Sequence, residues 1–291
     1  LVFFGNFSMV GFPPIVNFNK SLDNNELIMW IDLSTYCNAK CPQCHRTNPN
    51  GLEKIDWLPL KQWSLEDFKK AFPKQILNKI HRFDFCGTWG DPILNKDILK
   101  IVEYIVDNSF LPWVQINTNG SVRSEEWWWE LGKVGDSRLI VVFDIDGVTQ
   151  EQHSLYRQNT NLEKILNNME SFSNTKAKAT AFSVIFKHNR KSMYDIALLS
   201  KRRGAIGITF IESDRFFKLD DPPGTGEKGY IPTKDFIFVD RSGQKQKLQP
   251  SKFKATGKSE KGSHRQANDF FWVWWDLSND EHLEKIRHAS N

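Results

Sequence analysis

Six short β-rich runs, each followed by a stretch of helical periodicity, set the narrowest limits on what this chain can fold into. The runs are Glu26–Leu33 (ELIMWIDL), His81–Cys86, Trp113–Thr118, Arg138–Ile145, Ala177–Phe186 and Ile206–Glu212. Each has strand length and is bounded by polar or glycine-containing turns. Strands joined by a crossover of roughly a dozen residues or more run parallel, because a tight hairpin connects only antiparallel ones. The expected fold class is α/β, a partial (β/α)6 TIM-like barrel with fewer units than a closed barrel needs, and a doubly wound open sheet is the competing arrangement. In both, the loops at the C-terminal ends of the strands carry function.

The intervening segments carry helix signals. Asn95 is expected to cap a helix whose Ile98, Ile101, Val102, Ile105 and Val106 share one face. Ser64 with Asp67 three residues on forms a capping-box pattern, and Pro73 should kink or divide that helix. Ser124 precedes Glu125 and Glu126, whose charges suit a helix N-terminus. Asn161 and Asn189 open two more, the second stopping at Gly204, a natural C′ residue.

At 291 residues and 40% hydrophobic content the chain can bury a full core, as one large domain or a domain with an appendage. A formal charge of +4, with 25% of residues charged, argues against nucleic acid as the main partner. No run of about 18 apolar residues occurs, so no membrane span is expected. The opening LVFFGNFSMVGFPP lacks a basic n-region and a small-residue cleavage pattern and does not read as a secretory signal. Leu1 is not an initiator residue, so a fragment or trimmed product is expected, with Met9 an alternative start.

Three of the four cysteines lie in STYCNAKCPQCHR, Ser34 to Arg46, directly after the first predicted strand. Clustered thiols do not staple distant segments, so reduced thiols and a cytoplasmic location are expected rather than a disulfide framework. Cys37, Cys41 and Cys44 form C-x3-C-x2-C, and thiolates at such spacing suit zinc or an iron–sulfur cluster. A closed zinc site would need a fourth ligand, for which Cys86 and His45 are the candidates. Inert buried thiols are the remaining reading.

This cysteine motif, after the first strand of a β/α barrel, resembles that of the radical S-adenosylmethionine (SAM) superfamily. The resemblance implies a [4Fe-4S] cluster on Cys37, Cys41 and Cys44, whose fourth iron is chelated by the amino and carboxylate groups of SAM. It further implies an electron donor such as flavodoxin or ferredoxin, and cleavage of SAM to a 5′-deoxyadenosyl radical that abstracts hydrogen from a substrate. Gln43 departs from the family, which usually places an aromatic or aliphatic residue there against the adenine.

Further motifs follow in family order. GTWGDP is similar to the Gly-Gly-Glu-Pro motif, so Gly87 and Gly90 are expected to line the methionine amino group and Asp91 to accept from it. NTNG places Thr118 and Asn119 at a strand end, facing cofactor or substrate. FDIDG resembles the S-x-D-G of the peptide- and sulfatase-modifying branch, with Asp144 in place of the serine near the ribose. HSLYRQNTNLEKIL resembles that branch's His-x3-Arg or Tyr-Arg segment, which implies Arg157 as partner of the SAM carboxylate. The everyday alternatives are a Gly-Asp-Pro turn, an Asn-Gly turn and a surface arginine.

The resemblance runs to about Arg215 and divides the chain into an N-terminal extension (1–24), a radical SAM core (25–215) and an irregular C-terminal extension (216–291). The extension contains a turn-rich linker, Leu219 to Pro232, and a basic stretch read as a solvated tail. Its last aromatic segment is expected to pack back as a short strand or helix. The related branch holds auxiliary clusters in a SPASM or twitch extension, but no cysteine follows Cys86, so either redox-neutral outcomes gain over oxidations or the C-terminal region is truncated or atypical. Cys86 itself reads as a small buried strand residue. The tryptophan runs at Trp127 and Trp272 read as core anchors. The expected substrate is a peptide or protein side chain or a polar small molecule. A zinc-stabilised binding module and a degenerate SAM binder are the alternatives.

Overall fold

The computed structural model describes residues 27–213, 216, 235–251 and 274–290. Strands β1 (Ile28–Ile31), β2 (Arg82–Phe85), β3 (Trp113–Thr118), β4 (Leu139–Asp144), β5 (Lys178–Ile185) and β6 (Ala205–Glu212) lie side by side in sequence order, all parallel. The crossovers contain helices α1 (Leu65–Ala71), α2 (Lys74–Leu77), α3 (Ile98–Asn108), α4 (Glu125–Gly135), α5 (Gln150–Ser154), α6 (Leu162–Ser173) and α7 (Met193–Arg202). The α/β partial barrel is thus present, and among the described residues it does not close, since β1 and the far edge are not paired.

Side chains alternate across each strand. Met29, Ile31, Phe83, Phe85, Val114 and Ile116 point into one core with the helices. Helix α3 forms because its apolar residues recur at three and four, and Ile98, Ile101, Val102 and Ile105 are all fully buried. Burial of each such side chain contributes about 1.5–3 kcal/mol before conformational entropy is subtracted.

Caps at α1, α4 and α6 follow local sequence. Ser64 and Asp67 form the reciprocal box, and Pro73 separates α1 from α2. Ser124 and Asn161 accept from Trp127 N and Lys164 N. Gly204 ends α7 with φ +91°, in the left-handed region. Two expected caps differ. Asn95 is fully buried and its Nδ2 bridges Leu33 O and Trp63 O, both at 2.8 Å, while Asp97 precedes α3. Asn189 likewise donates to Asp146 O and Val184 O, each at 2.9 Å, and a 3-10 turn intervenes before α7.

The C-terminal residues pack on the barrel in two pieces. Strand β9 (Trp274–Asp276) runs antiparallel to β6 and covers its edge, and α8 (Asp280–Ser290) follows, with Leu283 and Ile286 in the main core. A hairpin of β7 (Phe236–Val239) and β8 (Lys245–Leu248) forms a separate sheet. Lys245 and Lys247, read as part of a solvated tail, therefore lie in a strand. The segment 1–24, the linker and most of the basic stretch lie outside the described residues. The tryptophan run on α4 divides: Trp128 is fully buried, whereas Trp129 is 47% exposed.

Candidate active site

The loop after β1 begins with tight turns. Tyr36 N donates to Ser34 Oγ, Cys44 N to Cys41 O and Thr47 N to Cys44 O, each at 3.0 Å. This winding brings Cys37, Cys41 and Cys44 into one short loop, all as free thiols, Cys41 buried and the other two half-buried. Burial pushes the Cys41 thiol up to about 12, Arg157 opposing the shift, and pushes the Cys37 thiol well up. Such thiols ionise when a metal centre supplies the compensating charge.

The β2 loop clamps this one. Asp91 N donates to Tyr36 O at 2.7 Å, and buried Arg46 donates to Trp89 O and Thr35 O, both at 3.1 Å. A Cβ on Gly90 would stand 2.2 Å from Ser34 O, so only glycine permits this approach. Gly87, at the start of the same loop, is exposed. Asp91, expected to meet an ammonium, is instead 3% exposed and saturated from within. It accepts from Ile93 N (3.0 Å), Thr118 Oγ1 (2.8 Å), Asn119 N (2.9 Å) and Asn119 Nδ2. Asn119 in turn reaches Asn38 Oδ1 at 3.0 Å and Cys37 Sγ at 3.9 Å.

At the end of β4, Asp144 and Asp146 grip one arginine. Arg157 donates from Nη1 to Asp144 Oδ2 at 2.8 Å and from Nε to Asp146 Oδ2 at 2.6 Å. Its Nη1 also lies 3.9 Å from Cys41 Sγ. Burial raises the Asp144 carboxyl to about 7, against the lowering effect of Arg157. Asp146 is fully buried and accepts Val184 N at 2.6 Å, tying the segment after β4 to β5. Asp146 N donates to Nδ1 of fully buried His153 at 3.2 Å. Gln43 is 5% exposed and accepts from Ser213 Oγ, past the end of β6, at 2.6 Å.

Residues absent from the sequence reading complete the site. Asp146 and Arg46 hold it together, the first readable only as the second aspartate of FDIDG. A second apolar cluster packs Ala39, Cys41 and Leu52 against Tyr156, Phe186, Phe238 and Leu248. The β7–β8 hairpin thereby covers the cysteine loop, and Val239 N bonds Pro49 O at 2.8 Å. Cys86 is not a buried strand residue. It lies half-buried just beyond β2, its thiol raised to about 11 by burial and by the Asp32 charge.

Three free thiols in one loop suit an iron–sulfur cluster by donor type and number. Among the described residues no three His, Cys, Asp or Glu side chains converge as ligands of one ion. Neither candidate fourth zinc ligand joins the loop thiols: the exposed His45 ring lies 6.1 Å from that of Trp89, and Cys86 bonds Asp32 and Thr88. Inside the barrel, opposite the helix-facing residues, Trp30, Asp84 and Gln115 share one register row. Trp30 Nε1 and Arg82 Nη2 donate to Asp84 Oδ2 at 2.6 and 2.7 Å. This lining is polar where a closed barrel usually packs branched apolar side chains.

Among solved structures, Streptococcus suis SuiB matches with a TM-score of 0.52 at 14% identity, covering 75% of this chain and 47% of that one. SuiB bound to the precursor peptide SuiA gives 0.51 at 14%, covering 67% and 43%. A tagged anSMEcpe with bound AdoMet gives 0.50 at 19%, covering 64% and 50%. These likenesses concern the fold. The molybdenum cofactor biosynthesis protein moc-5 of Caenorhabditis elegans is 26% identical over 184 residues, 62% of this chain and 29% of the relative. The chain thus spans less than a third of that curated relative and about half or less of these solved chains. No helix among the described residues is long and apolar enough to cross a membrane. The Radical SAM superfamily profile matches residues 31–199, more than half of the chain and the whole cysteine loop. The chain therefore belongs to the radical SAM superfamily, whose members are enzymes that use a [4Fe-4S] cluster and SAM.

Proposed function

We propose that this protein cleaves SAM reductively and abstracts hydrogen from a peptide or protein side chain or a polar small molecule. The observation that carries the reading is the loop of three free thiols, clamped by the β2 loop at Gly90. In this reading Cys37, Cys41 and Cys44 hold the cluster. Gln43, Gly87, Gly90, Asp91, Thr118, Asn119, Asp144 and Arg157 form the cofactor shell, with Asp91 acting through Asn119 rather than by direct contact. The cluster and SAM, when bound, supply a 5′-deoxyadenosyl radical.

The chain's own residues bind, orient and exclude water. The β7–β8 hairpin and Phe186 cover one side of the cysteine loop. Trp30, Arg82, Asp84 and Gln115 present hydrogen-bonding groups on the barrel's inner face, which suits a polar substrate better than a lipid. The molybdenum cofactor biosynthesis relative and the SuiB structure bound to a precursor peptide support a small molecule and a peptide as the two substrate classes. We place the chain near the SPASM/twitch branch on FDIDG and HSLYR. Within residues 1–291 no cysteine follows Cys86, so the three loop cysteines are the cluster ligands this reading uses. An external one-electron donor is required. The domain division at residues 25 and 215 is retained, with the hairpin, β9 and α8 as coverings of the core.

Anaerobic reconstitution followed by chemical reduction with SAM tests this reading. The wild type should release 5′-deoxyadenosine, and Cys41→Ala should release none and hold less iron. Release by Cys41→Ala equal to wild type would overturn it.

A further inference from the structure

Two cluster cysteines each face a side-chain nitrogen held by a buried aspartate. Arg157 Nη1 lies 3.9 Å from Cys41 Sγ, and Asn119 Nδ2 lies 3.9 Å from Cys37 Sγ. The arginine contact is the cleaner of the two. Its Nε hydrogen goes to Asp146 Oδ2 at 2.6 Å, and Nη1 carries two hydrogens, one for Asp144 Oδ2 at 2.8 Å and one for the sulfur. The amide of Asn119 is oriented by Ser121 N, which donates to Oδ1 at 3.0 Å and so leaves Nδ2 toward the sulfur. That nitrogen is shared among Asn38 Oδ1, Asp91 Oδ2 and Cys37 Sγ, three acceptors for two hydrogens.

The arginine is held from several directions. Asp146 is fully exhausted of solvent contact and is bonded to β5 through Val184 N at 2.6 Å, so its carboxylate does not swing. His153 and Asn189 fix the Asp146 backbone through its N–H and carbonyl. Tyr156 lies under the guanidinium, whose carbon is 5.1 Å from the ring centroid. The planar fork matches this geometry, and a lysine ammonium has no second nitrogen to serve it.

We propose that Arg157, positioned by Asp146 and Asp144, sets the reduction potential of the cluster by donating an N–H to Cys41 Sγ, with Asn119 acting secondarily on Cys37. Hydrogen bonds to cluster sulfurs stabilise the reduced, more negative state and raise its potential. The guanidinium charge acts in the same direction. Arg157 and Asp146 are positioning residues in this scheme, and the inference rests on the proposed cluster.

The test is an anaerobic redox titration of the reconstituted protein, followed by electron paramagnetic resonance, without SAM. Arg157→Lys and Asp146→Asn should hold iron as wild type does and titrate at a displaced midpoint, Arg157→Lys more negative by loss of the fork and Asp146→Asn by release of the arginine set against loss of a nearby carboxylate charge. Asn119→Ala should shift the midpoint less. Unchanged midpoints in both Arg157→Lys and Asp146→Asn, with iron retained, overturn the inference while leaving the proposed function standing. If Arg157→Lys fails to load iron, Asp146→Asn, which preserves side-chain volume, decides the question alone. Failure of both to load iron while a fourth variant, Asp144→Asn, loads and titrates as wild type also overturns it, since the pair then serves assembly and not potential. Failure of the wild type itself to form a cluster removes the proposed function instead.

Discussion

His153 shows how one residue can stabilise a site without touching its chemistry. Its Nδ1 accepts Asp146 N and its Nε2 meets Thr160 Oγ1 at 3.1 Å, with no exposed surface left. Burial, aided by Arg157, depresses its pKa to about 3. The unfolded chain takes up a proton below its ordinary value while the native ring stays neutral, so the stability His153 contributes above about pH 6.5 is lost as pH falls toward 3. His153→Gln lacks this linkage. The stability gap between wild type and variant should narrow by about 1.4 kcal/mol per pH unit below about 6.5, read from urea midpoints at two pH values. A gap independent of pH would mean that the ring is not held neutral. At this scale the three cysteines and Arg157 were readable, because spacing and motif order mark them. Asp146 was not, since an aspartate before glycine has the appearance of any turn until β5 closes over it.

Helix caps and loops show where local rules yield to tertiary ones. Ser64, Ser124 and Asn161 cap as their sequences indicate. Asn95 and Asn189 do not, because both amides bridge carbonyls inside the molecule, and an unpaired buried carbonyl costs more than an exposed cap contributes. The alternation that defines the strands was plain, yet β1 is shorter than its apolar run. Beyond Ile31 the chain turns so that Asp32 can accept Thr88 N and Trp89 N. The meeting of the β1 and β2 loops depends on the missing side chain at Gly90. Gly90→Ala drives a Cβ into backbone atoms of Ser34 and Thr35, which no side-chain rotation relieves. The variant should keep its helical circular dichroism but bind iron about tenfold more weakly, by iron assay after anaerobic desalting. Wild-type loading would show that the two loops are not rigidly coupled.

The described residues form an open barrel with its apolar face outward under helices and polar groups on the inner face of β1 to β3. Sequence indicated the parallel sheet and its incompleteness, because six units are present. It indicated that the last aromatic segment packs back as a short strand or helix, as β9 and α8 do, but not which edge or loop is covered. Strand β9 and the β7–β8 hairpin come from residues with weak periodicity, and their pairing is with distant partners, β6 and the cysteine loop. Such contacts leave no local pattern to read. The same covering makes the cysteine loop a protected place, with Cys41 buried under the hairpin and Arg157. On the proposed reading, three thiols there would leave one iron of a four-iron cluster without a protein ligand. Electron–nuclear double resonance on the reduced, reconstituted protein, with SAM labelled at its amino nitrogen and carboxylate oxygen, probes that iron. Strong coupling to both labels, at about four irons per chain, is the expected result. Absence of coupling with the cluster intact, or a single bound zinc, would contradict the assignment.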